Sequence, residues 1–76
     1  MHTTIDAMKI GQRGTILEFD IDTVPLKLLE MGCLPGNEVR VLQIAPFGDP
    51  LYLEVNGSHL AIRIEMARNI HVETES

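Results

Sequence analysis

The dipeptide Asn56-Gly57 constrains the fold of this chain more than any other feature, because it lies between two runs of alternating apolar residues. A two-residue type I′ turn needs positive φ at both central positions, and asparagine and glycine adopt it most readily. The sequence therefore predicts a β-hairpin whose apolar side chains share one face. The predicted pairs are Val55 with Ser58, Leu53 with Leu60, Leu51 with Ile62, Tyr52 with Ala61, and Glu54 with His59.

Three further strands are predicted around this hairpin. Thr15–Ile21 alternates, with Leu17, Phe19 and Ile21 on one face. Glu38–Ala45 shifts its apolar phase by one residue after Val41, which is typical of a β-bulge. A last strand is predicted over Ile70–Glu73, after a helical or irregular segment.

One short helix is predicted between the first two strands. Val24, Leu28 and Met31 recur at the spacing of one helical face. Pro25 suits an early helical position, and Gly32 follows where positive φ ends a helix. A helix of about eight residues does not persist alone in water, so we expect it to pack on the sheet.

These elements predict a mainly β fold: a small β-barrel of about five strands with one short helix inserted after the first strand. The 76 residues form a single domain, with an ordered core over about residues 8–72 and loose ends at 1–6 and 73–76. A domain this small leaves little room for a buried active site.

Charge and hydropathy exclude several classes of function. Six Lys and Arg residues against eleven Asp and Glu give a net charge of −5, and the cations are scattered, so we expect no nucleic-acid partner. No apolar run approaches the ~20 residues of a membrane-spanning helix, and the start lacks the pattern of a signal peptide. One cysteine, Cys33, cannot form an internal disulfide. We expect a cytoplasmic protein without direct membrane insertion.

Three carboxylates could form an oxygen site for a divalent cation. Glu18, Asp20 and Asp22 alternate along the predicted first strand and would share one face. A solvated outer face is the simpler interpretation, because the trio lacks the glycine-containing loop of a calcium site.

The histidines and Cys33 are the ligand types that transition metals prefer, but none of them lies at ligand spacing in the sequence. His59 and Cys33 are weak candidates: the first is more simply an exposed partner of Glu54, the second a small apolar residue beside the helix end. His2 falls in a predicted loose end. We predict no specific metal site and no cofactor.

Enzymatic activity is not expected. Cys33 has no basic residue nearby except Lys27, and Ser58 has no partners for a triad. The glycines form neither GxxxxGK[ST] nor GxGxxG, the two phosphate-binding motifs of nucleotide-binding proteins. The function must then reside on the surface of the domain.

The short helix supplies a candidate surface. Leu26, Lys27, Leu29 and Glu30 lie off the helical face that packs on the sheet. Apolar residues on a second face can form an exposed docking patch. Alternatively, Leu26 and Leu29 cover the open end of the barrel and belong to the core. These four residues are our candidate partner-binding residues.

Three segments together carry a resemblance to a known family. Leu28–Gly36, Ala45–Pro50 and Leu60–Arg63 resemble the FeoA family of bacterial ferrous iron uptake, and the similarity extends from Met8 to Val72. The resemblance implies an SH3-like barrel and a cytosolic accessory of FeoB, the permease with a GTP-binding domain. Cys33 departs from the family, which more often has an aliphatic residue there.

The resemblance implies that this chain acts by protein–protein interaction with a FeoB-type permease, through the GTP-binding domain or the assembly of the transporter. Attachment to the inner membrane would then occur only through the permease. Two alternatives stay open: a carrier or sensor of Fe²⁺ or another divalent metal, and a general SH3-like interaction module. A homo-oligomer is compatible with either.

Overall fold

The computed structural model of this chain describes residues 1–19 and 21–75. Within these residues the strands are β1 (His2–Thr4), β2 (Arg13–Ile16), β3 (Glu38–Ile44), β4 (Leu51–Val55), β5 (Ser58–Ile62) and β6 (His71–Thr74). The helices are α1 (Leu26–Glu30) and α2 (Ile64–Ala67), and 3₁₀ turns occupy Ile5–Ala7 and Ile21–Thr23. All strand pairs are antiparallel, in the order β1-β6-β2-β3-β4-β5.

The predicted hairpin is confirmed in turn and register. Asn56 and Gly57 have φ of 51° and 84°, and the five predicted pairs join β4 to β5. Because the register is correct, the apolar side chains of both strands lie together in the core.

The predicted bulge in β3 is also confirmed. The register of β3 against β4 shifts between Val41 and Gln43, which leaves Leu42 as the extra residue. Val41 is fully buried before the shift, whereas Leu42 and Ile44 are half-buried after it. The bulge thus moves the apolar residues from one phase of the strand to the other.

The predicted extent and phase of the first long strand are wrong. β2 ends at Ile16, which is buried, while Leu17 is only half-buried. The chain leaves the sheet at this point: the Leu17 N–H still donates to the His71 carbonyl at 2.8 Å, but Ile21–Thr23 is a 3₁₀ turn. Beyond Ile16, Leu17 and Phe19 are half-buried without forming a strand, and Phe19 packs against the core.

The predicted loose N-terminus is wrong as well. His2–Thr4 forms an edge strand paired with β6, and Ile5 is fully buried. The Ile5 N–H donates to the Ile70 carbonyl at 3.1 Å. The buried Ile5 anchors a polar strand that has no alternation of its own, so six strands rather than five build the sheet among the described residues.

The sheet is not closed into a barrel. Its edge strands in the described part of the chain are β1 and β5, which do not pair with each other. The apolar core lies against one face of the sheet, and partly buried residues of both short helices pack against it. Both helices also border the end of β5.

Candidate docking surface

The end of α1 is fixed by local backbone chemistry. Gly32 has φ of 98°; its N–H donates to the Leu29 carbonyl at 3.1 Å, and the Cys33 N–H donates to the Leu28 carbonyl at 3.0 Å. These two bonds are the Schellman motif, and they satisfy carbonyls that the helix end would leave unpaired. Cys33 follows with its side chain fully buried. The helix is shorter than predicted, with Pro25 at its N-cap.

The structure separates the four candidate partner-binding residues. Leu26 is 68% exposed, and Lys27 and Glu30 are exposed beside it. Leu29 is half-buried and packs against the core. Of the two apolar residues, Leu26 is therefore accessible to a partner, whereas Leu29 mainly stabilises the packing of α1 on the core.

A groove of about 270 Å³ lies between α1, the end of β5 and α2. Most of its lining is apolar, with charged side chains of both signs among it. The apolar members are Pro25, Leu28, Ala61, Ile62 and Met66, and the charged members are Lys27, Arg63 and Glu65. Sequence reasoning found only the α1 side of this groove.

The loop between β3 and β4 is attached to the edge of the groove. Asp49 Oδ1 accepts a hydrogen bond from the Ile64 N–H at 3.0 Å, and Asp49 Oδ2 lies 3.5 Å from Arg63 Nη1. The same loop presents Phe47, which is 98% exposed. We call the outer side of α1, the groove and Phe47 the α1/α2 surface.

The edge of the sheet runs beside this surface. β5 is hydrogen-bonded to β4 on one side only, so its other side presents backbone N–H and C=O groups without a strand partner among the described residues. Ala61 of this strand is exposed and lines the groove. The α1/α2 surface therefore combines apolar side chains with a strand edge.

The two weak candidates for metal ligands, His59 and Cys33, are in different environments. His59 Nε2 lies 3.6 Å from Glu54 Oε2 on the exposed face of the hairpin, as the register predicted. Burial raises the pKa of the Cys33 thiol, which disfavours the thiolate that a metal would need. Within residues 1–19 and 21–75, no three His, Cys, Asp or Glu side chains are arranged to hold a metal ion.

The predicted acidic face does not form as a strand face. Glu18 is exposed after the end of β2, and Asp22 lies in a 3₁₀ turn. Asp20 lies outside the described residues.

The structure brings together two histidines that the sequence keeps apart. His2 Nε2 and His71 Nδ1 lie 2.8 Å from each other at the β1–β6 edge. No local spacing could reveal this pair, because it depends on the pairing of two strands from opposite ends of the chain.

Comparison with known proteins identifies the family. Residues 3–74 match the family described as the FeoA domain. The chain belongs to the FeoA family. This match confirms the resemblance carried by the Leu28–Gly36, Ala45–Pro50 and Leu60–Arg63 segments.

A curated relative is a fusion protein of Porphyromonas gingivalis named Fe(2+) transport protein A/Fe(2+) transporter FeoB, which is 38% identical over 47 residues. The match covers 62% of this chain but only 6% of the fusion protein. This chain therefore corresponds to a small part of that relative.

Solved FeoA structures share the fold. The crystal structure of an iron uptake regulatory protein (FeoA) matches with a TM-score of 0.84 at 28% identity, covering 99% of both chains. Stenotrophomonas maltophilia FeoA in complex with zinc, described as a prokaryotic SH3 domain protein, matches with a TM-score of 0.78 at 25% identity, covering 93% of this chain and 89% of that one. The fold of this FeoA domain is thus SH3-like and mainly β.

In the described ranges no helix combines the length and the apolar content of a membrane span.

Proposed function

We propose that this FeoA domain is an accessory of ferrous iron uptake that acts by docking its α1/α2 surface on a FeoB-type permease. The single observation that carries the proposal is the apolar groove between α1 and α2, with Leu26 (68% exposed) on the helix that borders it and Phe47 (98% exposed) on the loop joined to its edge through Asp49. The family and the fused FeoA/FeoB relative support a FeoB-type permease as the partner. In this role the chain is a binding module rather than an enzyme, located in the cytoplasm and held at the inner membrane by the permease.

The chemistry of the surface suits a protein partner. Single exposed apolar side chains are common on protein surfaces, but exposed apolar side chains on the elements that border an apolar groove are the type of anchor that dominates many interfaces. Lys27, Arg63 and Glu65 are exposed and line the groove among its apolar residues. Charges of both signs at a rim favour one orientation of the partner over others.

The proposal is tested by titrating the isotopically labelled chain with the soluble GTP-binding domain of the cognate permease, and with the full permease in detergent. Backbone NMR signals of α1, α2 and residues 45–50 are expected to shift or broaden on binding. Leu26→Ser and Phe47→Ser are each expected to weaken binding at least tenfold while the circular dichroism spectrum stays unchanged.

A matched control separates docking from general loss of apolar surface. Ile10 is 61% exposed and does not line the groove, so Ile10→Ser should bind as the unmodified chain does. Equal losses for Ile10→Ser and Leu26→Ser, or the absence of binding to either form of the permease, would contradict the proposal.

A further inference from the structure

The histidine pair at the β1–β6 edge is a feature that docking does not use. His2 and His71 approach with their ring nitrogens 2.8 Å apart and their ring centroids 4.9 Å apart, at an interplanar angle of 68°. At this distance one ring nitrogen donates a hydrogen bond and the other accepts it. Both side chains are exposed, and a shallow depression lined by Thr3 and Thr4 adjoins them.

The separation of the two nitrogens is close to that of two ligands on one metal ion. With metal–nitrogen bonds of about 2.05 Å, neighbouring ligands lie about 2.9 Å apart at a right angle and about 3.3 Å apart at a tetrahedral angle. The observed 2.8 Å needs an increase of only a few tenths of an ångström. Rotation of exposed side chains can supply this increase and turn both lone pairs toward a common point.

The strands hold the pair in place. His2 lies opposite Glu73, and His71 precedes Glu73 by two positions on the exposed side of β6. The three side chains therefore project from the same face of the β1–β6 ribbon. Their backbone positions are set by strand pairing, so a metal would not need to order a loop before it binds.

A carboxylate lies at this edge beside the two imidazoles. Glu73 accepts a hydrogen bond from the Met1 ammonium at 2.5 Å. Glu73 is thus a carboxylate next to the imidazole pair, although its present partner is the ammonium group.

We propose that His2 and His71 form a surface site for a first-row divalent transition metal ion, bound through His2 Nε2 and His71 Nδ1, with Glu73 adding negative charge beside it. Imidazole nitrogen favours Zn²⁺, Ni²⁺, Cu²⁺ and Fe²⁺ over Mg²⁺ and Ca²⁺, which prefer oxygen. When two metal bonds replace the His–His hydrogen bond, the proton between the rings is released or moves to the other nitrogen of the ring that donated it. The site is independent of the α1/α2 surface and does not require that the chain bind a permease.

The test is calorimetric titration of the tag-free full chain with ZnCl₂ in a buffer that does not bind metal, with MgCl₂ as the hard-cation control. We expect one Zn²⁺ per chain with micromolar affinity and no heat from Mg²⁺. His2→Gln and His71→Gln should each weaken Zn²⁺ binding at least tenfold, and Glu73→Gln should weaken it by a smaller factor. His59→Gln is the matched control, because His59 is also exposed but lies on the hairpin, and it should bind as the unmodified chain does.

Backbone NMR gives a second measurement, since Zn²⁺ should shift the signals of residues 2–4 and 71–73 first. Equal weakening by His59→Gln and His71→Gln would overturn the proposal. So would unchanged affinity in the His2→Gln and His71→Gln variants, or a stoichiometry of one Zn²⁺ per two chains accompanied by dimerisation in sedimentation. The absence of Zn²⁺ binding by the unmodified chain would also overturn it.

Discussion

Replacement of Gly32 by alanine gives a sharp test of how α1 is joined to the hairpin. Gly32 has φ of 98°, and a Cβ built on it would lie 3.1 Å from Asn56 Cβ. Gly36 is the matched control, because its φ of 93° is nearly the same but no heavy atom lies within 4 Å of its Cβ position. The two substitutions therefore share backbone strain and differ in one contact.

The magnitudes follow from these two terms. A left-handed backbone costs an L-residue about 1–2 kcal/mol, which is the expected loss of unfolding free energy for Gly36→Ala. Gly32→Ala should lose about 1 kcal/mol more, because a methyl group is forced against a close neighbour. For a domain of this size each 1 kcal/mol lowers Tm by about 4–8 °C.

Urea unfolding followed by far-ultraviolet circular dichroism measures these losses, since the chain has no tryptophan. A double-mutant cycle isolates the contact: Asn56→Gly keeps the turn, whose φ of 51° glycine adopts freely, and removes the Cβ that the new methyl group at position 32 would meet. The Gly32→Ala penalty should fall to that of Gly36→Ala in the Asn56→Gly background. An identical penalty in both backgrounds, or equal losses for the two alanine variants from the start, would refute this reasoning.

Three further outcomes are expected. Leu53→Ala should lower the unfolding free energy by about 2–5 kcal/mol in urea titrations because Leu53 is fully buried, whereas the exposed Leu26→Ala should change it by less than about 0.5 kcal/mol. The pKa of Glu73 is lowered, mainly by its hydrogen bond with the Met1 ammonium. This interaction contributes stability above pH 4.5 that is lost as the pH falls through the folded-state pKa. Glu73→Gln should therefore flatten the decrease of Tm at acid pH. Burial raises the pKa of the Cys33 thiol, so stability should decline above pH 9.0, where the thiol of the unfolded chain ionises. Cys33→Ala should remove this decline. Chemical labelling of the thiol should be slower in the folded protein than in urea.

The parts of the fold that were predicted correctly depend on local backbone chemistry. Asn56-Gly57 and Gly32 need conformations that few other residues adopt, and the structure has positive φ at each of them. The phase shift in β3 is likewise visible in consecutive apolar residues, and the bulge occurs at Leu42. Such features require no knowledge of distant partners.

The parts that were missed depend on strand pairing between distant residues. The polar segment His2–Thr4 has no strand signal, and only its pairing with β6 makes it one. β2 ends at Ile16, opposite the beginnings of β3 and β6. The alternation that continues after Ile16 therefore led to a predicted strand that is too long. The α2 side of the groove and the histidine pair both follow from these non-local arrangements, which is why sequence reasoning found Leu26 but not Met66 or His71 as surface candidates.

The position of β6 has a consequence for synthesis of the domain. The last of its strands to be made lies between β1 and β2, the first two, and hydrogen-bonds to both. Until residues 71–74 leave the ribosome, β1 has no partner and β2 has an open side. Contacts between such distant residues slow folding, so the nascent domain completes its sheet only after this last strand has been translated.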